Sequence, residues 1–157
     1  MSKKIVIVGG VAGGASTAAR VRRLDEHAEI VMFERGPFVS FSNCCLPFHL
    51  SETIEKAEDL VLMTPEQFHK QYNITAKVNQ EVIKIDKESK KVTVRNVQTL
   101  DEYTETYDEL VLSPGARAIL PQGIKGINGA NVFSVRNVPD IDQIKRYIDS
   151  NGINEIA

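Results

Sequence analysis

The segment Val8-Gly9-Gly10-Val11-Ala12-Gly13-Gly14-Ala15-Ser16 follows directly on the apolar run Ile5-Val6-Ile7-Val8. The stretch reads as a buried strand, a tight glycine turn and a helix start. That geometry points unpaired helix N–H groups and the positive end of a helix dipole at one spot, where a pyrophosphate can sit. Read as G-x-G-x-x-G, the first and last positions are Gly9 and Gly14, while Val11 takes the middle one. The turn alone is equally a helix start without a ligand. Glu34, twenty residues after Gly14 at the end of a second apolar run, adds weight. An acidic side chain there can accept hydrogen bonds from ribose hydroxyls, which makes the whole unit read as a dinucleotide site.

The rest of the chain reads as an α/β fold: a Rossmann-like parallel sheet with an inserted three-stranded antiparallel meander. Strands are predicted at 4–8, 29–34, 60–63, 74–77 and 109–112, with helices at 13–27, 65–72 and 139–149. A short helix is predicted near Cys44. Thr64-Pro65 starts the second long helix as cap and first-turn proline, and Asn151-Gly152 ends the last. Alternation over 81–86, 91–95 and 102–107 gives the meander. A loop leads through 113–116 to 131–135, and 153–157 reads as the opening of another strand.

With 157 residues the chain is long enough for one domain with a real core. A net charge of −2 argues against nucleic-acid or membrane surfaces as partners. No apolar run resembles a secretory signal or membrane span, so a cytoplasmic protein is expected. No His/Cys/Asp/Glu set has metal-site spacing, so no metal is expected.

The chemistry is expected from Ser40-Phe41-Ser42-Asn43-Cys44-Cys45-Leu46-Pro47. A thiolate is a nucleophile whose pKa falls at helix starts or near donors and positive charge. The small polar residues Ser40, Ser42 and Asn43 can line a pocket. A disulfide between neighbours is disfavoured, since adjacent Cα atoms about 3.8 Å apart fall short of the usual span of roughly 4.4–6.8 Å. Two structural cysteines or a soft-metal pair remain open at this point. Arg20, Arg22 and Arg23 read as a solvated helix face or as a phosphate patch. His49 reads as a surface histidine, or else as a group that tunes Cys44.

These strings, with Arg22-Arg23-Leu24-Asp25, Phe33-Glu34-Arg35, Leu112-Ser113-Pro114-Gly115-Ala116 and Arg136-Asn137-Val138-Pro139-Asp140, closely resemble the N-terminal part of the coenzyme A-disulfide reductases. That family belongs to the pyridine nucleotide-disulfide oxidoreductases and has persulfide-reducing relatives. The resemblance implies FAD with its pyrophosphate on Gly9, Gly10, Val11, Ala12, Gly13 and Gly14. It places the adenosine ribose at Glu34 with Arg35 nearby and the flavin side near Asn43 and Cys44. Val82 matches a position whose backbone meets the adenine, and Ser113, Pro114, Gly115 and Ala116 match a second cofactor turn. Cys44 matches the single redox cysteine, which forms a mixed disulfide with coenzyme A. Ser16, Arg20, Arg23, Ser40 and Asn43 match substrate positions.

Three differences stand within the resemblance. Cys45 occupies a position where glycine or alanine is common, and Tyr72 one where a lysine can contact substrate. Ala12 stands where the oxidase and peroxidase branch, which works through a cysteine sulfenic acid, carries a histidine. The resemblance further implies a homodimer and an NAD(P)H unit beyond residue 152. On that view 1–152 is an incomplete FAD-binding domain and 153–157 the start of the next. The substrate is coenzyme A disulfide or a coenzyme A or low-molecular-weight persulfide. A sulfenic-acid oxidase or peroxidase and a non-catalytic flavin- or nucleotide-binding module are the alternatives.

Overall fold

The computed structural model describes residues 2–153 and 155. It divides into two compact units, one formed by 1–41 and 61–115, the other by 42–60 and 116–157.

The first unit is built on β1 (Lys4–Val8), α1 (Ala12–Leu24) and β2 (Glu29–Phe33). α3 (Pro65–Tyr72), β3 (Ile74–Lys77) and β7 (Glu109–Leu112) complete its α/β layer. The four strands form one parallel sheet in the order β3-β2-β1-β7. Side chains alternate across the strands, so each strand feeds two cores. Ile7, Ile30, Met32 and Ile74 face one way and pack with Ala18 of α1 and Phe68 of α3. Val6, Val31 and Phe33 face the other way and meet Val92, Val94 and Tyr107. Val92 and Val94 come from a separate antiparallel sheet of β4 (Gln80–Asp86), β5 (Lys91–Asn96) and β6 (Glu102–Thr106), and Tyr107 follows it. Full burial of each such side chain contributes roughly 1.5–3 kcal/mol. The meander is thus one wall of a layered core, as the alternation predicts.

A charged network ties β1 to the meander. Lys4 Nζ lies 2.6 Å from Glu29 and 2.8 Å from Glu105, both through Oε1. Glu105 holds the Lys4 ammonium above the ordinary lysine range, with Glu29 second. Lys77 Nζ lies 3.7 Å from the same Glu105 and over the rings of Phe33 and Tyr103.

Four local expectations need correction. α1 ends at Leu24 rather than near residue 27, because Asp25 is extended (φ −142) and its Oδ1 accepts the His27 and Ala28 N–H groups. Arg22 does not belong to a phosphate patch. Its guanidinium donates to the carbonyls of Asp25, Glu26, Ala28, Tyr72 and Asn73, clamping the turn after α1 to the end of α3. No strand forms over 60–63. Ala57–Leu60 is a 3-10 turn, and pairing there is limited to a single bridge between Phe41 and Val61. His49 is buried, at 3% exposure, and is not the surface histidine that the sequence suggests.

The second unit contains a 3-10 turn at Asn43–Cys45, the short α2 (Leu46–Leu50) and α4 (Val138–Asn151). Asn137 and Asp140 form a reciprocal capping box on α4, and Gly152 ends it at φ 59. Leu46, Val138, Ile141 and Ile144 are buried. His49 Nδ1 lies 2.6 Å from the Ile54 carbonyl, and Lys145 of α4 donates to the His49 carbonyl at 3.4 Å. The expected strand opening at 153–157 falls largely outside the described residues.

Candidate functional site

Two sets of predicted residues are found, one in each unit. In the first, the glycine turn is closed by contacts that leave no room for side chains. Gly9 adopts φ +95, and a Cβ there would collide with the carbonyl of Ser113. A Cβ on Gly14 would collide with the carbonyl oxygen of Gly9. Both residues must therefore be glycine for α1 to start this close to the β1 and β7 ends. Val11 is the N-cap of α1, yet no side chain caps the helix and its first turn carries no acidic residue. The N–H groups of Ala12, Gly13 and Gly14 open the helix and have no partner within it. Val11 in the middle position does not prevent this turn, because the tight contacts fall on Gly9, Gly10 and Gly14.

Glu34 is fastened to the turn. Its Oε2 accepts the Gly10 N–H at 2.8 Å and its Oε1 accepts the Gly36 N–H at 2.8 Å. An ionised carboxylate offers about four acceptor positions, so two are left for hydroxyl donors. Gly9, Glu34, Arg35, Gln80, Val82 and Pro114 line one cleft. The side-chain Oε1 of Gln80 is buried there without a hydrogen-bond partner. Ser113 N–H donates to the Val8 carbonyl at 2.8 Å, and Gly115 has φ +69 in the irregular segment that leaves β7. This cradle of free amides beside an anchored carboxylate fits a dinucleotide's pyrophosphate and ribose.

Ser16, Arg20 and Arg23 all lie exposed on α1, at positions four and three apart that share one helix face. Ser40, at φ +50, donates its N–H to the Gly10 carbonyl at 2.8 Å, and its own carbonyl accepts the Leu62 N–H at 2.9 Å. Its strained backbone is thus held from both sides.

Asn43, Cys44 and Ala116 belong to the second unit. Cys44 is exposed and Cys45 half-buried, both as free thiols. The Ser42 hydroxyl lies 3.2 Å from Cys44 Sγ. That hydroxyl, followed by the Cys45 thiol, lowers the Cys44 pKa from its ordinary value. His49 Nδ1 faces the Ile54 carbonyl, and no hydrogen bond among the described residues joins His49 to Cys44. The Ala116 carbonyl accepts from Arg136 Nε at 3.1 Å, an interaction that fastens the loop before α4.

Sequence reasoning misses two contributors. Ser42 is legible as a small polar neighbour but not as the group bonded to Cys44. Gln80 carries no motif or periodicity and is found only through its unpartnered buried oxygen. Among the described residues no cluster of His, Cys, Asp or Glu could hold a metal ion. Among them also, no helix is long and apolar enough to cross a membrane.

Known proteins share this sequence and fold. Residues 3–153 match the family described as pyridine nucleotide-disulphide oxidoreductase. A coenzyme A disulfide reductase of Staphylococcus aureus is 40% identical over 98% of this chain and 34% of its own length. The reduced CoADR-RHD of Bacillus anthracis superposes with a TM-score of 0.91 at 50% identity, over 97% of this chain and 27% of that one. An NAD-dependent persulfide reductase from A. fulgidus superposes at 0.85 with 30% identity, over 94% of this chain and 27% of its own. The chain therefore spans about a third of the length of the curated relatives it matches. With the family match running almost end to end over a parallel sheet, glycine cradle and exposed thiol, the chain belongs to the pyridine nucleotide-disulphide oxidoreductases.

Proposed function

We propose that this chain is the FAD-binding part of an NAD(P)H-dependent reductase of coenzyme A disulfide or a related persulfide, working through Cys44. The observation that carries the reading is the exposed Cys44 thiol, with the Ser42 hydroxyl 3.2 Å from its sulfur. The 40% identity to a coenzyme A disulfide reductase supports the substrate class.

Under this reading the uncapped start of α1 receives the pyrophosphate and the free acceptor positions of Glu34 receive the ribose hydroxyls. Gly9 and Gly14 let the backbone approach. Arg35, Val82, Asn43 and the turn from Ser113 to Ala116 complete the cofactor contacts. Bound FAD would pass two electrons from NAD(P)H to the disulfide formed at the cysteine. The chain's own chemistry lies in the thiolate: Cys44 Sγ attacks a sulfur of the substrate disulfide, one S–S bond forms, and the other half leaves as a thiolate. Ser16, Arg20, Arg23, Ser40 and Asn43 would hold the substrate, with the arginines matched to its phosphates.

Incubating the protein with coenzyme A disulfide in the absence of reductant tests this. Intact-mass and peptide analysis should place one coenzyme A on Cys44, in a dithiothreitol-reversible bond. Absence of that adduct, with a sulfenic acid trapped at Cys44 under peroxide, would instead select an oxidase or peroxidase chemistry.

A further inference from the structure

We propose that Ser42 is a positioning residue for Cys44, its hydroxyl donating to Sγ and holding the sulfur in the thiolate form. The inference rests on reading Cys44 as the nucleophile. Ser42 is the cap of the 3-10 turn Asn43–Cys45, where a serine ordinarily turns its oxygen back onto a free backbone N–H. It makes no such capping bond. Its hydroxyl is instead 3.2 Å from Cys44 Sγ, two residues on.

The backbone fixes this alternative. Ser42 N–H donates to the Leu60 carbonyl at 2.8 Å, and the Ser42 carbonyl accepts the Cys45 N–H at 3.2 Å. Ser42 is half-buried and Cys44 exposed, so the thiolate meets solvent on one side and a placed donor on the other. A neutral thiol can give its proton to Oγ, but a thiolate can only accept. The contact favours the ionised sulfur whenever the charge-assisted bond is the stronger of the two.

On the elements packed beside this turn the titratable groups are His49 of α2 and Glu58 and Asp59 of the Ala57–Leu60 turn, and no hydrogen bond among the described residues joins any of them to Cys44. His49 of α2 faces the Ile54 carbonyl, and Lys145 of α4 lies 3.4 Å from the His49 carbonyl and 3.5 Å from Glu52 Oε1. Among the described residues, the Ser42 hydroxyl is the one side-chain group hydrogen-bonded to Cys44 Sγ. Removal of the Ser42 hydroxyl therefore removes the hydrogen-bonded side-chain partner of the sulfur.

The experiment follows capture of Cys44 by iodoacetamide, resolved by peptide mass spectrometry, from about pH 5 to about pH 10. It uses the full chain and its Ser42→Ala and Ser42→Thr variants. The midpoint of the rate profile should rise in Ser42→Ala and stay at the wild-type position in Ser42→Thr. Ser42→Val against Ser42→Thr, equal in shape and different in the hydroxyl, puts the same question if the alanine variant does not fold. An unchanged midpoint in Ser42→Ala or Ser42→Val overturns the proposal. So does an equal rise in Ser42→Thr, which would mark a packing effect. The readout needs neither reductant nor substrate. A protein inactive on coenzyme A disulfide that still shows the hydroxyl-dependent shift would retire the substrate assignment and leave the role of Ser42 standing.

Discussion

Glu34 binds the backbone of Gly10: its carboxylate, at the end of β2, accepts the N–H of a residue in the turn after β1 at 2.8 Å. Its other oxygen takes the Gly36 N–H at the same distance. The acidic residue therefore holds the turn together through both carboxylate oxygens. Glu34→Gln keeps one acceptor oxygen and loses the other along with the charge. It should cost about 1.5–3 kcal/mol in stability and weaken flavin retention together. Thermal unfolding and FAD titration of the variant check both. Loss of flavin with unchanged stability would confine Glu34 to ligand binding.

A crowded glycine behaves differently from an open one. Gly14→Ala places a methyl group against the Gly9 carbonyl and should prevent this turn from closing. A methyl group on Gly123 would meet nothing within 4 Å, so Gly123→Ala serves as the comparison. The expected result is a loss of at least about 3 kcal/mol, or of the folded state, for Gly14→Ala and about 0.5 kcal/mol or less for Gly123→Ala. Urea unfolding of the pair measures the difference.

Arg22 should be intolerant of lysine. Its planar fork reaches five carbonyls in two turns, whereas an ammonium offers three donors from one point. Arg22→Lys and Arg22→Ala should both destabilise by about 2–4 kcal/mol, because the part-buried carbonyls of Asp25, Ala28 and Tyr72 lose their donor. Equal stability of Arg22→Lys and the wild type would show that charge alone suffices.

Lys4 predicts a pH dependence. Its ammonium is raised above the ordinary lysine value by Glu105 and then Glu29. A raised folded-state value means that the contribution is fully present below the unfolded lysine value and is lost as pH rises through the folded one. Wild-type stability should therefore decline in that alkaline window more than that of Lys4→Met. The difference between their denaturation midpoints, followed against pH, gives the sign directly.

Much of the fold is legible in the sequence because it rests on periodicity. The runs at β1, β2 and β7 are continuous and apolar, the meander alternates, and Thr64-Pro65 announces α3. Local endings are less legible. Whether α1 stops at Leu24 depends on an Asp25 side chain turning back onto His27 and Ala28, and on Arg22 finding a carbonyl 51 residues away. The burial of His49 depends on an acceptor outside its own helix, the Ile54 carbonyl, which no spacing rule supplies. The glycine turn and Glu34 follow from spacing. The Ser42 contact does not, because nothing in the sequence says that the serine spends its hydroxyl on sulfur rather than on the helix cap.

The assignment of Cys44 is tested most directly by NAD(P)H-dependent reduction of coenzyme A disulfide by the full-length protein, compared with Cys44→Ser and Cys45→Ser. Turnover should be present in the wild type, fall by at least about 1,000-fold in Cys44→Ser, and persist in Cys45→Ser. Undiminished turnover in Cys44→Ser would contradict the assignment of Cys44 as the nucleophile.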